Sequence, residues 1–351
     1  MPSQKLTTNA FARAPRRRAL ACLAAALLLA AQPAHARQEP QRRQAPPAAA
    51  EVGEEDVIKI DTDLVLVDVT VTDAQGRPVR GLKAEDFKLY DDGEEREIAF
   101  VNVERRGGAE RPVAVVFAVD VSGSMTPEEM AKLQAAVRAF AERLAGRAAL
   151  FALMSFGMRS KVHGPFTSDR ARLNRALEQL QKEKNGLSTH TYDAVDDAVR
   201  LLVRQAPRTR DRRLMKRAVV VITDGFPVGD TVSPSTVIER ANEAEVSVYS
   251  VTLPSFSRLV ASATPARTPL PTPLDVSGLV ERTGGANFYA VGDDYEPLFR
   301  ALAEEVTSTY VLAFYPPEEK RRDGRSHAVR VEGPRGLFVR QNRTEYKGNQ
   351  K

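Results

Sequence analysis

Two apolar runs in this chain end on an aspartate. Residues 113–120, VAVVFAVD, lead straight into Val121-Ser122-Gly123-Ser124-Met125, and residues 218–225, AVVVITDG, end with Asp224 and a glycine. Two carboxylates brought close repel each other unless a cation lies between them. Ser122 and Ser124 follow Asp120 at two-residue spacing, and alternate side chains of an extended chain point the same way. Asp120, Ser122 and Ser124 can then face one point while Val121, Gly123 and Met125 face away, with Gly123 permitting the tight turn. All these donors are oxygens, with no thiolate or imidazole. That donor set selects a hard ion, Mg²⁺ first, with Mn²⁺ or Ca²⁺ as alternatives, over zinc or copper.

Other chemistries fit these residues less well. A serine hydrolase could use Ser122 or Ser124 with His163 or His190, but there is no G-x-S-x-G elbow, and His190 lies between two threonines of a loop. A phosphatase built on a strand-end aspartate needs a second aspartate where Ser122 stands. Asp120 as a plain cap of the following turn is the simplest competing reading. The run 200–217, RLLVRQAPRTRDRRLMKR, has eight basic residues and one acid and could dock an acidic partner or an anionic surface, but it has no aromatic residue on which a base could stack, and a solvated helix end and loop is the reading expected.

Ligands of open α/β sheets bind beyond the carboxyl ends of the strands, so both aspartates need a covered parallel sheet beneath them. The pattern from residue 113 supplies one. VAVVFAVD, AALFALMSFG (148–157), AVVVITDG and VSVYSVTL (246–253) read as buried strands. Between them lie helical stretches. Pro127–Leu144 is capped by Thr126 and carries apolar residues at three- and four-residue spacing. Further helices are expected over 168–181, capped by Ser168, and over 191–205, 233–243, 274–285 and the stretch DYEPLFRALAEEVTS. The fold expected is α/β, a doubly wound, mostly parallel sheet over residues 111–307. The flanks differ. LVLVDVTVTD (64–73) alternates like a strand, and DFKLYDDGEEREIAFVNVE reads as a hairpin turning at Asp92-Gly93. YVLAFYPP, SHAVRVEG and GLFVRQNR read as three more strands after Ser308. A lone two- or three-strand unit is marginal. The economical arrangement is one small antiparallel β-sandwich, completed by 57–110 and 308–346, with the α/β domain inserted in it.

Residues 1–18 carry Lys5, Arg13, Arg16, Arg17 and Arg18 and no acid, followed by ALACLAAALLLAA and Ala34-His35-Ala36. This reads as a secretory signal over 1–36, its apolar run too short to span a bilayer. The location expected is exported: periplasmic, cell-surface or secreted, with no membrane association beyond the leader. Residues 37–56 have the Pro, Gln, Ala and charge content of a disordered linker. The whole chain has 51 basic and 46 acidic residues, and without the leader the balance is 46 to 46, so no global field toward nucleic acid or membrane remains. The only cysteine, Cys22, lies in the leader, so the remaining chain must rely on packing.

DVSGS resembles the DxSxS signature of the von Willebrand factor type A domain. The metal-ion-dependent adhesion site of that family adds a threonine from one loop and an aspartate from another. GLSTHTYDA offers Thr189 at the corresponding place, with Thr191 as a competitor, and ITDG offers Asp224. The flanking segments are similar to those of bacterial exported "VWFA-related" proteins, so the likeness spans roughly residues 57–340. Leu187-Ser188 stands where many relatives have Gly-Gly, and 254–273 is an insertion with the composition of a loop. The resemblance implies that Ser122, Ser124 and Thr189 ligate the ion through hydroxyls, with Asp120 and Asp224 holding its waters and the serine hydroxyls. An ion touched only by neutral ligands seeks an anionic oxygen from outside. The expected function is therefore non-enzymatic binding of an Asp or Glu carboxylate on a partner protein. The alternatives are a structural envelope module with a silent or stabilising metal site and, further off, a hydrolase.

Overall fold

The computed structural model describes residues 64–102, 110–122, 125–180, 183, 188–223, 226–253, 271–290, 292 and 294–348. The leader, the linker and nearly all of the 254–273 insertion lie outside these residues. No described helix is long and apolar enough to cross a membrane.

The central sheet begins with β5 (Val113–Asp120), all eight residues of which are buried. Its two faces feed two cores. Val113, Val115, Phe117 and Val119 pack under α1 (Pro127–Arg143), α2 (Arg170–Leu180) and α7 (Glu296–Thr307). Ala114, Val116 and Ala118 pack under α3 (Thr191–Gln205) and α4 (Pro234–Glu243). A strand covered on both faces has no polar face to alternate, which is why the run is continuously apolar. β6 (Leu150–Phe156), β10 (Lys216–Thr223), β11 (Val246–Thr252) and β12 (Asn287–Tyr289) lie parallel to it, and β7 (Lys161–Val162) closes the edge antiparallel. The order is β12-β11-β10-β5-β6-β7. Chain order reverses between β5 and β10, and α1 and α4, the helices that follow these strands, sit on opposite faces. The crevice between their carboxyl ends is thus the switch point of the sheet.

Local signals explain the helix starts. Thr126 Oγ1 accepts the Glu129 N–H and Glu129 returns a carboxylate to the Thr126 N–H, at 3.2 and 2.8 Å, with Pro127 in the first turn. Ser233 caps α4 by accepting the Thr236 N–H at 3.2 Å, with Pro234 in the first turn. Three expectations are corrected. Asp169, not Ser168, caps α2, its Oδ1 accepting from Ala171 N–H at 2.8 Å. The stretch 274–285 is two short helices, α5 (Pro273–Val276) and α6 (Leu279–Arg282), because Gly278 takes a left-handed φ of 70° between them. The basic run 200–217 is not a helix end and loop alone: β8 (Thr209–Arg210) and β9 (Arg213–Leu214) form a hairpin turned by Asp211 and Arg212 at positive φ.

The two flanks share their sheets. One holds β15 (Phe338–Gln341), β1 (Val65–Thr72), β13 (Thr309–Phe314) and β4 (Phe100–Asn102), with Val65 opposite Phe314 and Thr70 opposite Thr309. The other holds β16 (Glu345–Lys347), β14 (Ser326–Glu332), β2 (Lys88–Asp91) and β3 (Glu94–Arg96). Val67, Val69, Leu89, Leu312, Phe314, Val331 and Tyr346 fill one core between the two sheets. The α/β layer therefore interrupts a β-sandwich whose strands come from both sides of it. The segment after Ser308 supplies four strands rather than three. β16 goes unread in sequence because its three residues carry a single apolar side chain, Tyr346, too short a run to show alternation.

Sandwich and α/β layer are riveted by a buried polar knot. Asp68 of β1 meets Arg111 Nη1 at 2.9 Å and Lys216 Nζ at 3.0 Å, and Lys216 also donates to Ser247 Oγ at 2.7 Å. Burial alone would raise the Asp68 carboxyl, but Arg111 and Lys216 outweigh it and bring it to about 2. Burial pulls Lys216 below the usual lysine value, against the opposing pull of Asp68. The knot sits at the start of β10, at the opposite end of the sheet from Asp120.

A second cluster holds the far sheet. His327 of β14 is buried against Tyr346, with Nδ1 2.8 Å from Asp92 Oδ2 and Nε2 3.1 Å from Asp323 Oδ2. Lys320 Nζ bridges Asp91 and Asp92 at 3.0 and 2.8 Å. Asp91, Asp92 and His327 lie close enough to hold an ion. The Lys320 ammonium already lies between the two carboxylates, so the cluster is an ion-pair network. Burial lowers the His327 pKa, but its hydrogen bonds to Asp92 and Asp323 prevail and raise it above the ordinary value. A raised folded value stabilises the fold below the unfolded pKa of about 6.5 and loses that contribution as pH rises through the folded value. Urea midpoints measured from pH 5.5 to 8.5 should therefore fall in the upper half of that range. His327→Gln should flatten the fall, and an unchanged slope in that variant would refute the assignment.

Candidate functional site

Asp120 is the last residue of β5 and is 2% exposed. Its carboxylate is held from both sides: Oδ1 accepts the Ser122 N–H at 2.9 Å, and Oδ2 accepts the hydroxyl of Thr223, the last residue of β10, at 2.9 Å. The first bond is the tight turn that Ser122 makes as the chain leaves the sheet. The second ties the two strands across the switch point. Ser122 is also buried, at 8%. Thr223 was not singled out from sequence, since one threonine ending an apolar strand carries no signal until register is known. In the observed register Ile222 pairs with Val119, so Thr223 falls level with Asp120.

Thr189 is brought to the same edge from the other side. Phe156 at the end of β6 pairs with Asp120 and accepts the Val121 N–H at 2.8 Å, and the next residue, Gly157, accepts the His190 N–H at 3.0 Å. Thr189, one residue earlier, is 6% exposed. Its carbonyl accepts the Val228 N–H at 2.8 Å, so it is fixed to the loop that follows β10 as well. Thr191, the competing threonine, is fully buried as the first residue of α3, and its hydroxyl lies 3.5 Å from the Thr189 carbonyl. Ser124 and Asp224 lie outside the described residues.

The loop after β10 is laced to the start of α3. Asp193 accepts from Thr231 N–H at 3.0 Å, from Thr231 Oγ1 at 3.1 Å and from Val232 N–H at 2.8 Å, while its own N–H donates to Asp230 Oδ1 at 2.9 Å. Ser188 Oγ donates to Val228 O at 2.7 Å. Gly229, at φ 92°, passes so close that an added Cβ would lie 2.7 Å from His190 Nε2. Burial and the nearby Asp193 charge push the Asp230 carboxyl up. Asp193 and Asp230 were not read from sequence, because their role depends on two loops 37 residues apart meeting in space.

The two histidines near this edge face other groups. His190 Nδ1 faces Asp193 at 3.4 Å. His163 Nε2 lies 2.8 Å from Ser155 Oγ, but Ser155 is a fully buried residue of β6. Burial drives the His163 pKa down.

The described donors fit a hard cation. They comprise a carboxylate already oriented by two hydrogen bonds and two hydroxyl-bearing residues at one sheet end, with no thiol present.

Residues 114–263 match the family model of the von Willebrand factor type A domain. Human integrin alpha-D is 29% identical over 138 residues, which cover 39% of this chain, and the match spans 12% of that protein's length. Among solved structures, BatB of Bacteroides thetaiotaomicron covers 55% of this chain and 97% of its own, at 19% identity and a TM-score of 0.41. Proximal thread matrix protein 1 of the mussel byssus, solved with a zinc-occupied MIDAS motif, covers 59% of this chain and 49% of its own, at 13% identity and a TM-score of 0.45. With β5 to β11 arranged as described and Asp120 at the switch point, the α/β layer carries the match to the von Willebrand factor type A domain over residues 114–263.

Proposed function

We propose that this domain binds a divalent cation, Mg²⁺ or Mn²⁺, through Ser122, Ser124 and Thr189, with Asp120 and Asp224 holding the surrounding waters and hydroxyls. The cation in turn binds an Asp or Glu side chain of a partner protein. The observation that carries this reading is the fixed Asp120 carboxylate, held by Ser122 N–H and Thr223 Oγ1 at the carboxyl end of β5. A strand-end aspartate that served only as a turn cap would need the first of these bonds and not the second. A bound cation supplies one coordination place for an outside carboxylate. The chain's own residues orient that place and exclude bulk water from it, and no bond is broken.

The sequence of residues 1–36 supports export of the protein, with contact made in the periplasm, at the cell surface or outside. The test is capture of partners by the immobilised full chain from the native envelope, in Mg²⁺ and in EDTA, with Asp120→Ala in parallel. The reading requires at least one partner retained in Mg²⁺ and lost both in EDTA and with Asp120→Ala. Partners retained equally in all three conditions would favour a structural envelope module instead.

A further inference from the structure

A cleft of about 720 Å³ opens between the α/β layer and the sandwich, at the end of the sheet opposite Asp120. Its walls are α4 and α6 on one side and β16 with the turn after β13 on the other. Five cations line it: Arg208, Arg282, Arg321, Arg343 and Lys347. Against them stand Glu239, Glu243 and Glu345, and Glu345 is engaged by the Ser326 hydroxyl.

The imbalance reaches into the floor. Arg343 is 8% exposed. Its Nη2 donates to Asn242 O at 2.9 Å and faces Glu245 at 3.5 Å, while its Nε has no acceptor. Glu245 also pairs with Arg208 at 2.8 Å, and its charge acts on Arg217 beneath as well. One carboxylate thus serves three guanidinium groups. Glu245 takes a positive φ of 55° to stand there, a conformation a non-glycine residue adopts at some cost. Burial depresses the Arg343 pKa despite the opposing pull of Glu245, Asp68 and Glu243, so the charged form is under-compensated. A buried cation without full pairing is costly, and an arriving anion removes that cost. At the rim, Arg282 and Lys347 are exposed and form no ion pair among the described residues.

The shape limits the ligand. The space is far larger than a single phosphate and lies in the range of sites that hold extended organic ligands. One wall, β16, is an edge strand paired only with β14. Edge strands offer main-chain groups to an added extended segment.

We infer that this cleft is a second binding site, for an extended acidic peptide of a partner protein whose carboxylates pair with Arg343, Arg282 and Lys347. Two sites at opposite ends of one sheet would let the molecule hold two acidic segments by different means, one through a metal and one through arginines. The inference stands without the metal reading, and the test separates them. Fluorescein-labelled hexaglutamate is titrated into the full chain in EDTA, followed by anisotropy, so that no divalent ion contributes. Binding is expected that weakens with added NaCl and falls by at least about tenfold in Arg282→Glu/Lys347→Glu. Arg282→Gln, a milder change at an exposed position, should weaken it in the same direction. The thermal midpoint of each variant is measured alongside. Absence of binding to the wild type in EDTA overturns the proposal, as does unchanged affinity in a folded double variant. Hexaglutamate binding that appears only with Mg²⁺ would place the peptide at the Asp120 site and likewise overturn it.

Discussion

Asp120→Ala should abolish divalent-metal uptake and, with it, metal-dependent capture of any partner. The effect follows from what the carboxylate holds. Asp120 fixes the turn through the Ser122 N–H and links β5 to β10 through the Thr223 hydroxyl. Without it, Ser122 loses the anchor that aims its side chain. Removing a group that orients metal ligands costs about 10–100-fold in affinity, and removing its charge as well adds to that. Asp120→Asn separates the two effects, since the amide oxygen can still accept the Ser122 N–H while the charge is gone. We expect it to retain the wild-type midpoint in EDTA more closely than Asp120→Ala, yet to show no rise in midpoint on addition of Mg²⁺. A ligand that binds only the folded state raises stability by mass action, so a shift in the wild type and none in either variant is the readout. A Mg²⁺-induced shift of equal size in all three proteins would remove Asp120 from the site.

The second large effect lies far from the metal site. Asp68→Ala should destabilise the protein by about 3–5 kcal/mol, the usual cost of leaving a buried charge unpaired. Here it strands two, Arg111 and Lys216, and Lys216 is 1% exposed. Because β1 belongs to the sandwich and β10 to the α/β layer, the loss should appear as reduced cooperativity between the two as well as a lower urea midpoint. The same carboxylate predicts acid sensitivity. Its folded value near 2 lies below the unfolded value of 3.8. Its stabilisation, about 2 kcal/mol, is therefore complete above pH 4 and lost as pH falls toward 2. Urea titrations at pH 2.5 and 5 on wild type and Asp68→Asn check both statements. An Asp68→Asn variant with wild-type stability at pH 5 would contradict them.

Much of the α/β layer was legible because its signals are local. β5 and β10 are continuous apolar runs, and α1 announces itself through Thr126, Pro127 and Glu129. DVSGS marks the turn by its own spacing. The resemblance of that stretch to a known family pointed to Thr189 just before α3, where the structure ties its neighbour His190 to Gly157 after β6 and its own carbonyl to Val228. What stayed hidden depends on register or on contacts across long separations. Thr223 acts only because it falls level with Asp120. Asp193 and Asp230 act only because two loops meet. The break at Gly278 hides inside an amphipathic pattern that reads as one helix, and β16 is too short to alternate. The Asp68 knot could not be read from sequence. A single aspartate in LVLVDVTVT looks like the solvent side of a strand until Arg111 and Lys216 are seen beside it.

Asp120, Ser122, Ser124, Thr189 and Asp224 are proposed to form one divalent-cation site. Calorimetric titration of Mg²⁺, and separately Mn²⁺, into the metal-stripped full chain tests it most directly. Saturable uptake of one ion per chain is expected, lost in Asp120→Ala. A wild-type protein that folds normally and takes up neither ion would contradict it.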